Sequence, residues 1–136
     1  MYRAHTVSVG IAIDPNAVYS YVSDPSNLPV WAPGFFKSIE KQGDRWVAQT
    51  TLGEITIRFA RENALGVLDH EADCPSGTFH NPMRVIPNGA GSEVLFTLMQ
   101  RPTVSDAQFQ QDLDTVRADL NKLRTVLEHQ NGGARP

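Results

Sequence analysis

The chain has a single cysteine, Cys74, among 136 residues, so no internal disulfide can form. It has no run of lysine or arginine and a net charge of −3, which argues against a nucleic-acid partner. No apolar stretch is long enough to span a membrane, and Met1-Tyr2-Arg3 opens no signal peptide. A cytoplasmic location without membrane insertion is therefore the expectation. Internal repeats and low-complexity segments are also missing. So are the CxxC, HExxH and GxSxG signatures and the phosphate-binding glycine loop. Gly89-Ala90-Gly91 opens no helix and reads as a turn. No metal or cofactor is implied. What remains is an ordinary balance, 40% hydrophobic and 20% charged, in a length suited to one domain. That domain is expected over residues 1–130, as a monomer or homodimer, with a disordered tail at 131–136.

The strongest pattern lies between Ser105 and His129. Phe109, Leu113, Val116, Leu120, Leu123 and Leu127 recur at alternating steps of four and three, one stripe of a helix. Asp112, Asp114, Arg117, Asp119, Lys122 and Arg124 suit the wet face. Ser105 and Gln108 form a capping box, and Asn131-Gly132-Gly133 supplies the stop. Such a helix is about 37 Å long at about 1.5 Å per residue, and its one apolar stripe needs a large surface to lie against.

Upstream the pattern is that of strands. Arg3 to Ile13 alternates, with Val7, Val9, Ile11 and Ile13 facing one way. Asp14-Pro15 and Asp24-Pro25 each open a short helix, Asp as cap and Pro at the first helical position; Pro33-Gly34 ends the second. Phe36–Gln42, Arg45–Thr51 and Glu54–Arg61 follow as strands. A two-residue loop at Leu52-Gly53 would face Trp46 with Phe59, Ala48 with Ile57 and Thr50 with Ile55, placing both aromatic rings inside. In Gly66–Asp73 the carboxylates Asp69, Glu71 and Asp73 share the wet face, so His70 points inward. Cys74-Pro75-Ser76-Gly77 turns the chain into Thr78–Ile86, where Pro82 marks an edge or bulge. Glu93–Arg101 returns, setting Val94, Phe96 and Leu98 against Val85, Met83 and Asn81. The order implies an α+β fold: a curved antiparallel sheet of about seven strands wrapped around the long C-terminal helix, with two short helices after the first strand.

Ile11-Ala12-Ile13-Asp14-Pro15-Asn16-Ala17-Val18, Ser23-Asp24-Pro25 and Trp31-Ala32-Pro33-Gly34 add a second line of reasoning. With Arg84-Val85-Ile86-Pro87-Asn88-Gly89, Gly91-Ser92-Glu93-Val94 and the last helix, they resemble the START-like, helix-grip superfamily, also called SRPBCC. Within it the chain is similar to the polyketide cyclase/dehydrase and lipid-transport group. The resemblance spans nearly the whole chain and implies a helix-grip fold, usually hollow between helix and sheet. It implies no one activity, because enzymes, carriers and binding proteins share the fold. Its shared residues shape turns and bring no catalytic role to this sequence. No cysteine and histidine pairs are spaced for a Rieske cluster, which would mark the oxygenase branch of the superfamily.

Asp69, His70, Glu71, Asp73, Cys74 and His80 contain every common ligand type for zinc. Strand alternation splits them, sending His70 inward and leaving His80 with the carboxylates, so a solvated strand face is the better reading. Cys74 in its turn has no activating partner, and Arg61 reaches solvent from a strand end. His70 and Asn81 share the inner face with apolar residues, as core polar groups or as handles in a cavity. The expected ligand-binding wall is Trp31, Trp46, Phe59, His70, Phe79, Asn81, Met83, Phe96, Phe109, Leu113 and Val116. A hydrophobic small molecule, lipid-like or resembling an aromatic polyketide, is the expected partner. A cyclase or dehydratase using His70 as acid or base is the alternative. A protein-interaction module, presenting Leu95 and Met99 on the outer face, is a third.

Overall fold

Among the described residues, 1–132 of the computed structural model, eight strands form two antiparallel sheets. β1 (Arg3–Ile11), β8 (Gly91–Gln100) and β7 (Met83–Asn88) make a three-stranded sheet in that order. β2 (Phe36–Gln42), β3 (Arg45–Thr50), β4 (Gly53–Phe59), β5 (His70–Cys74) and β6 (Gly77–Asn81) make a five-stranded one. Pro82 divides them. It has no N–H to give a ladder, so the expected strand Thr78–Ile86 breaks there. The chain leaves one sheet as β6 and enters the other as β7. The carboxylate of Asp69 accepts the Met83 N–H at 2.8 Å at this crossing. It is thus half-buried and structural rather than simply wet. Asn81 consequently pairs with His70, not with Leu98, while Met83–Phe96 and Val85–Val94 pair as the alternation requires.

The hairpin between β3 and β4 differs from the sequence expectation by two residues. Trp46 pairs with Ile57, Ala48 with Ile55 and Thr50 with Gly53, so Thr51-Leu52 forms the loop. Gly53 takes the left-handed conformation, φ +93°, at the end of the turn rather than inside it. Thr50 Oγ1 accepts the Leu52 N–H at 3.1 Å and donates to the Gly53 carbonyl at 2.8 Å. A shift of two leaves every residue on its expected face, but it separates Trp46 from Phe59. Both rings are half-buried at the core margin, and Trp46 carries the Lys41 ammonium 5.9 Å from its ring centre.

The two Asp-Pro starts behave as read. Asp14 accepts the Asn16 N–H at 2.8 Å and opens α1 (Pro15–Val22), and Asp24 accepts the Ser26 N–H at 3.0 Å. A 3₁₀ turn at Pro25–Asn27 then leads into α2 (Leu28–Trp31). After Pro102 the Ser105 hydroxyl accepts the Gln108 N–H at 3.1 Å and starts α3 (Asp106–Gly132). Helix thus continues through the expected stop at Asn131-Gly132, and residues 133–136 of the expected tail lie outside the described residues. Phe109, Leu113, Leu120, Leu123 and Leu127 are buried and Val116 half-buried, which makes the stripe the helix side of the core. α3 packs chiefly on β1, with further contact to β8 and α2.

The helix-grip arrangement read from the sequence is therefore present: a curved antiparallel framework closed by one long C-terminal helix. Where the wet face of α3 was expected, Asp114, Arg117, Lys122 and Arg124 are exposed, but Asp112 is half-buried and Asp119 is buried. Those two acids face the interior that the helix shares with α2 and the five-stranded sheet.

Candidate functional site

Between α3, the five-stranded sheet and β8 lies a cavity of about 710 Å³, within the range of roughly 300–1,000 Å³ common for small-molecule sites. Short side chains leave it open: Ala72 on β5 and Thr115 and Val116 on α3 line it from opposite sides. Of the wall expected from sequence, Trp31, His70, Phe79, Asn81, Phe96, Phe109 and Val116 line this space. Trp46, Phe59, Met83 and Leu113 do not. Met83 and Leu113 are spent on packing elsewhere in the core, and Trp46 sits too far toward the β2–β3 margin.

His70 is 6% exposed and held on three sides. Its ring stacks on Phe59 at 4.9 Å between centres and meets the edge of Phe96 at 5.6 Å. It thereby links β4, its neighbour in one sheet, to β8 in the other. Nδ1 lies 3.1 Å from the Leu68 carbonyl, which can only accept, so Nδ1 carries the proton and Nε2 is left as an acceptor. Burial pushes the imidazole pKa below its ordinary 6.5, against smaller opposing effects of the Leu68 carbonyl and Asp69. His70 is thus neutral at pH 7. Asn81, its cross-strand partner, is half-buried on the same wall.

Asp119 is the residue the periodic pattern hid. It is 8% exposed, lines the cavity, and accepts the Gly34 N–H on Oδ1 at 3.2 Å. Burial pushes its carboxyl up to about 6 from an ordinary 3.8, with the Gly34 N–H pulling weakly the other way. Gly34 makes room for this approach: a Cβ there would stand 3.0 Å from Thr115 Cγ2 and 3.1 Å from Asp119 Oδ1, and those side chains would have to give way by a few tenths of an ångström. The only earlier signal was the glycine of Pro33-Gly34, which alone says little. Three residues before Gly34, Trp31 is 3% exposed, and its indole N–H finds no acceptor among the described residues.

The remaining polar wall is nearer the surface. Gln108 donates to Asp112 at 2.8 Å, and the Arg101 guanidinium lies 4.1 Å from the Phe79 ring centre. Leu52 and Met99, 56% and 47% exposed, also border the cavity. Leu95 is half-buried between its strand neighbours, so it does not offer the outer-face patch expected of an interaction surface. Glu71 pairs with His80, which is exposed and also borders the cavity, and on the outer face Arg58 from β4 bridges Glu71 at 3.5 Å and Asp73. Among the described residues no three His, Cys, Asp or Glu side chains gather as a metal set. Burial raises the Cys74 thiol above its ordinary 9.0, as expected for an unreactive cysteine. No helix among the described residues is long and apolar enough to cross a membrane.

No family model and no curated sequence matches the chain. Solved structures do. An aromatase/cyclase from a Streptomyces species superposes with a TM-score of 0.73 at 14% identity, over 96% of this chain and 96% of that one. Truncated norcoclaurine synthase from Thalictrum flavum gives 0.65 at 14%, over 93% and 94%. The protein XoxI from Bacillus cereus gives 0.72 at 18%, over 90% and 94%. Identities this low speak for the fold alone. The protein has the START-like, SRPBCC helix-grip fold that its turns and last helix resemble.

Proposed function

We propose that the chain binds a mainly hydrophobic small molecule, lipid-like or built on aromatic rings, in the cavity between α3 and the five-stranded sheet. The observation that carries this is the wall itself. Phe79, Phe96, Phe109, Ile57 and Leu98 form an apolar lining, interrupted by polar groups at His70, Asn81 and Asp119. That division suits a guest with a large apolar body and one or two oxygen atoms. Exposed Leu52 and Met99 at the border would ease its entry. Carriage of such a molecule by a cytoplasmic monomer or homodimer belongs to the same reading. The test begins with native mass spectrometry of freshly expressed protein, to find what it retains. Val116→Phe then fills the space from the helix side. Binding of the retained compound should fall at least roughly tenfold with the melting curve unchanged; unchanged binding would refute the cavity as the site.

A second reading is favoured by one observation: two buried groups of the wall, the His70 imidazole and the Asp119 carboxyl, are moved in opposite directions by their surroundings. An unprotonated Nε2 on His70 could take a proton from a carbon next to a ligand carbonyl, the first requirement of a cyclisation. The aromatase/cyclase and norcoclaurine synthase likenesses support this as a possibility of the fold. Turnover of a polyketide-like substrate, abolished by His70→Gln while binding persists, is its test. Equal turnover in the variant would remove it.

A further inference from the structure

The Nε2 nitrogen of His70 is an acceptor that no donor meets. The Leu68 carbonyl holds the proton on Nδ1, while Phe59 stacked on the ring and Phe96 against it fix the imidazole plane. Among the described residues no donor reaches Nε2. Nor is Nε2 sealed in. The Trp31 indole N–H is the one buried side-chain polar atom among the described residues that is both unpaired and closed off. The small part of His70 that stays accessible opens on the cavity the residue lines. Buried polar atoms in folded proteins are nearly always paired, and this one is left to whatever fills the cavity.

The charges around the cavity point the same way. Asp119, buried on the α3 wall, and half-buried Asp112 are acceptors as well. Arg101 is the only described lining residue with a permanent positive charge. It is engaged at the rim, donating to the Thr78 carbonyl and lying over the Phe79 ring. A carboxylate on the guest brings only acceptors. It would set lone pairs against lone pairs at His70 and add a third negative charge to a cavity with two. Protonating His70 to receive it works against burial of the ring. An ether or ketone oxygen also brings nothing that Nε2 can accept. A hydroxyl supplies the missing donor and stays neutral. We propose that His70 Nε2 receives an alcohol or phenol O–H of the bound molecule, so that the cavity takes hydroxyl-bearing guests and turns away carboxylates of the same shape. This deepens the binding reading above and rests on it: among lipid-like and aromatic guests it selects neutral hydroxylated molecules over fatty acids.

The test titrates 2-naphthol, 2-methylnaphthalene and 2-naphthoate into the full chain at pH 7.5 and follows the His70 ring nitrogens by ¹⁵N NMR. The free protein should show Nδ1 protonated and Nε2 bare; the reverse tautomer would overturn the proposal. Nε2 should then move upfield along the 2-naphthol binding curve, as an imidazole nitrogen does on accepting a hydrogen bond, and hardly move with 2-methylnaphthalene. 2-Naphthoate should bind at least roughly tenfold more weakly than 2-naphthol. His70→Phe keeps an aromatic ring beside Phe59 and Phe96 and removes the acceptor. It should weaken 2-naphthol at least roughly fivefold relative to 2-methylnaphthalene. The nitrogen readout needs no variant, so it decides the matter even if His70→Phe fails to fold. Saturation by 2-naphthol with Nε2 unmoved, 2-naphthoate bound as tightly as 2-naphthol, or an unchanged relative affinity in folded His70→Phe would overturn the acceptor role and leave the cavity reading standing. Failure of all three probes to bind would strike the cavity reading itself, and the acceptor role with it.

Discussion

Asp119→Asn separates what the buried acid does for binding from what it does to stability. The carboxyl titrates at about 6 in the folded chain against an ordinary 3.8, so the folded state holds its proton more tightly than the unfolded state does. The sign follows from linkage. Below about pH 4 both states are protonated and Asp119 costs nothing. As pH rises past 3.8 the unfolded chain ionises first, and stability falls until the folded carboxyl has also ionised, above about 6. A difference of this size corresponds to at most about 3 kcal/mol at pH 7.5. Asparagine removes the charge and keeps an oxygen for the Gly34 N–H, which sits 3.2 Å from Oδ1. Urea melts should therefore find Asp119→Asn more stable than wild type by about 1–3 kcal/mol at pH 7.5, with the gain vanishing near pH 4. A gain independent of pH would mean that the charge is not the cause. A loss at pH 7.5 would mean that the ionised carboxylate is well paired, contrary to its burial and single hydrogen bond.

Three further outcomes follow from the geometry. Leu120→Ala should cost about 2–5 kcal/mol in the same melts, since Leu120 is 1% exposed; Asp114→Ala, on the exposed face, should cost less than about 0.5 kcal/mol. Gly66→Ala should abolish a stable fold, because φ is +72° and the new Cβ would lie 2.1 Å from the Val85 carbonyl oxygen. A readily purified, cooperatively melting variant would contradict this conformation of Gly66 and its close approach to Val85. His70, lowered by burial, contributes stability that is complete above its ordinary 6.5 and is lost as pH falls through that value toward its folded pKa. An NMR titration of its ring should therefore give a midpoint below 6.5, and a midpoint at or above 6.5 would place the ring in water.

The parts of the fold visible in the sequence were those governed by local chemistry. Each Asp-Pro pair caps a helix because both residues act within one turn, and the six-residue stripe of α3 is a property of the helix alone. His70 could be placed inward from its acidic neighbours, since alternation needs no knowledge of the partner strand. The hairpin register was less accessible. Leu52-Gly53 and Thr51-Leu52 keep the same residues inside, so polarity could not choose between them, and only the backbone position of Gly53 decided it. Pro82 announced an interruption, but not that the chain would change sheets there. Asp119 was out of reach for a different reason. It flanks the apolar stripe beside Leu120, and an acid at that position is ordinarily wet; its burial comes from α2 and the Gly34 turn, distant in sequence. The same holds for Leu95, covered by β1 and β7 on either side of β8.

Methyl-resolved NMR during a titration with 2-naphthol tests the occupied cavity most directly. Methyl signals of Ala72, Leu98, Val116 and Leu120, drawn from both walls of the cavity, should shift together along one saturable curve. Val30 and Leu65, exposed and away from the wall, should stay still. Shifts confined to Val30, Leu65 or other surface methyls, with the four wall methyls unmoved at saturation, would contradict a ligand held between the last helix and the sheet.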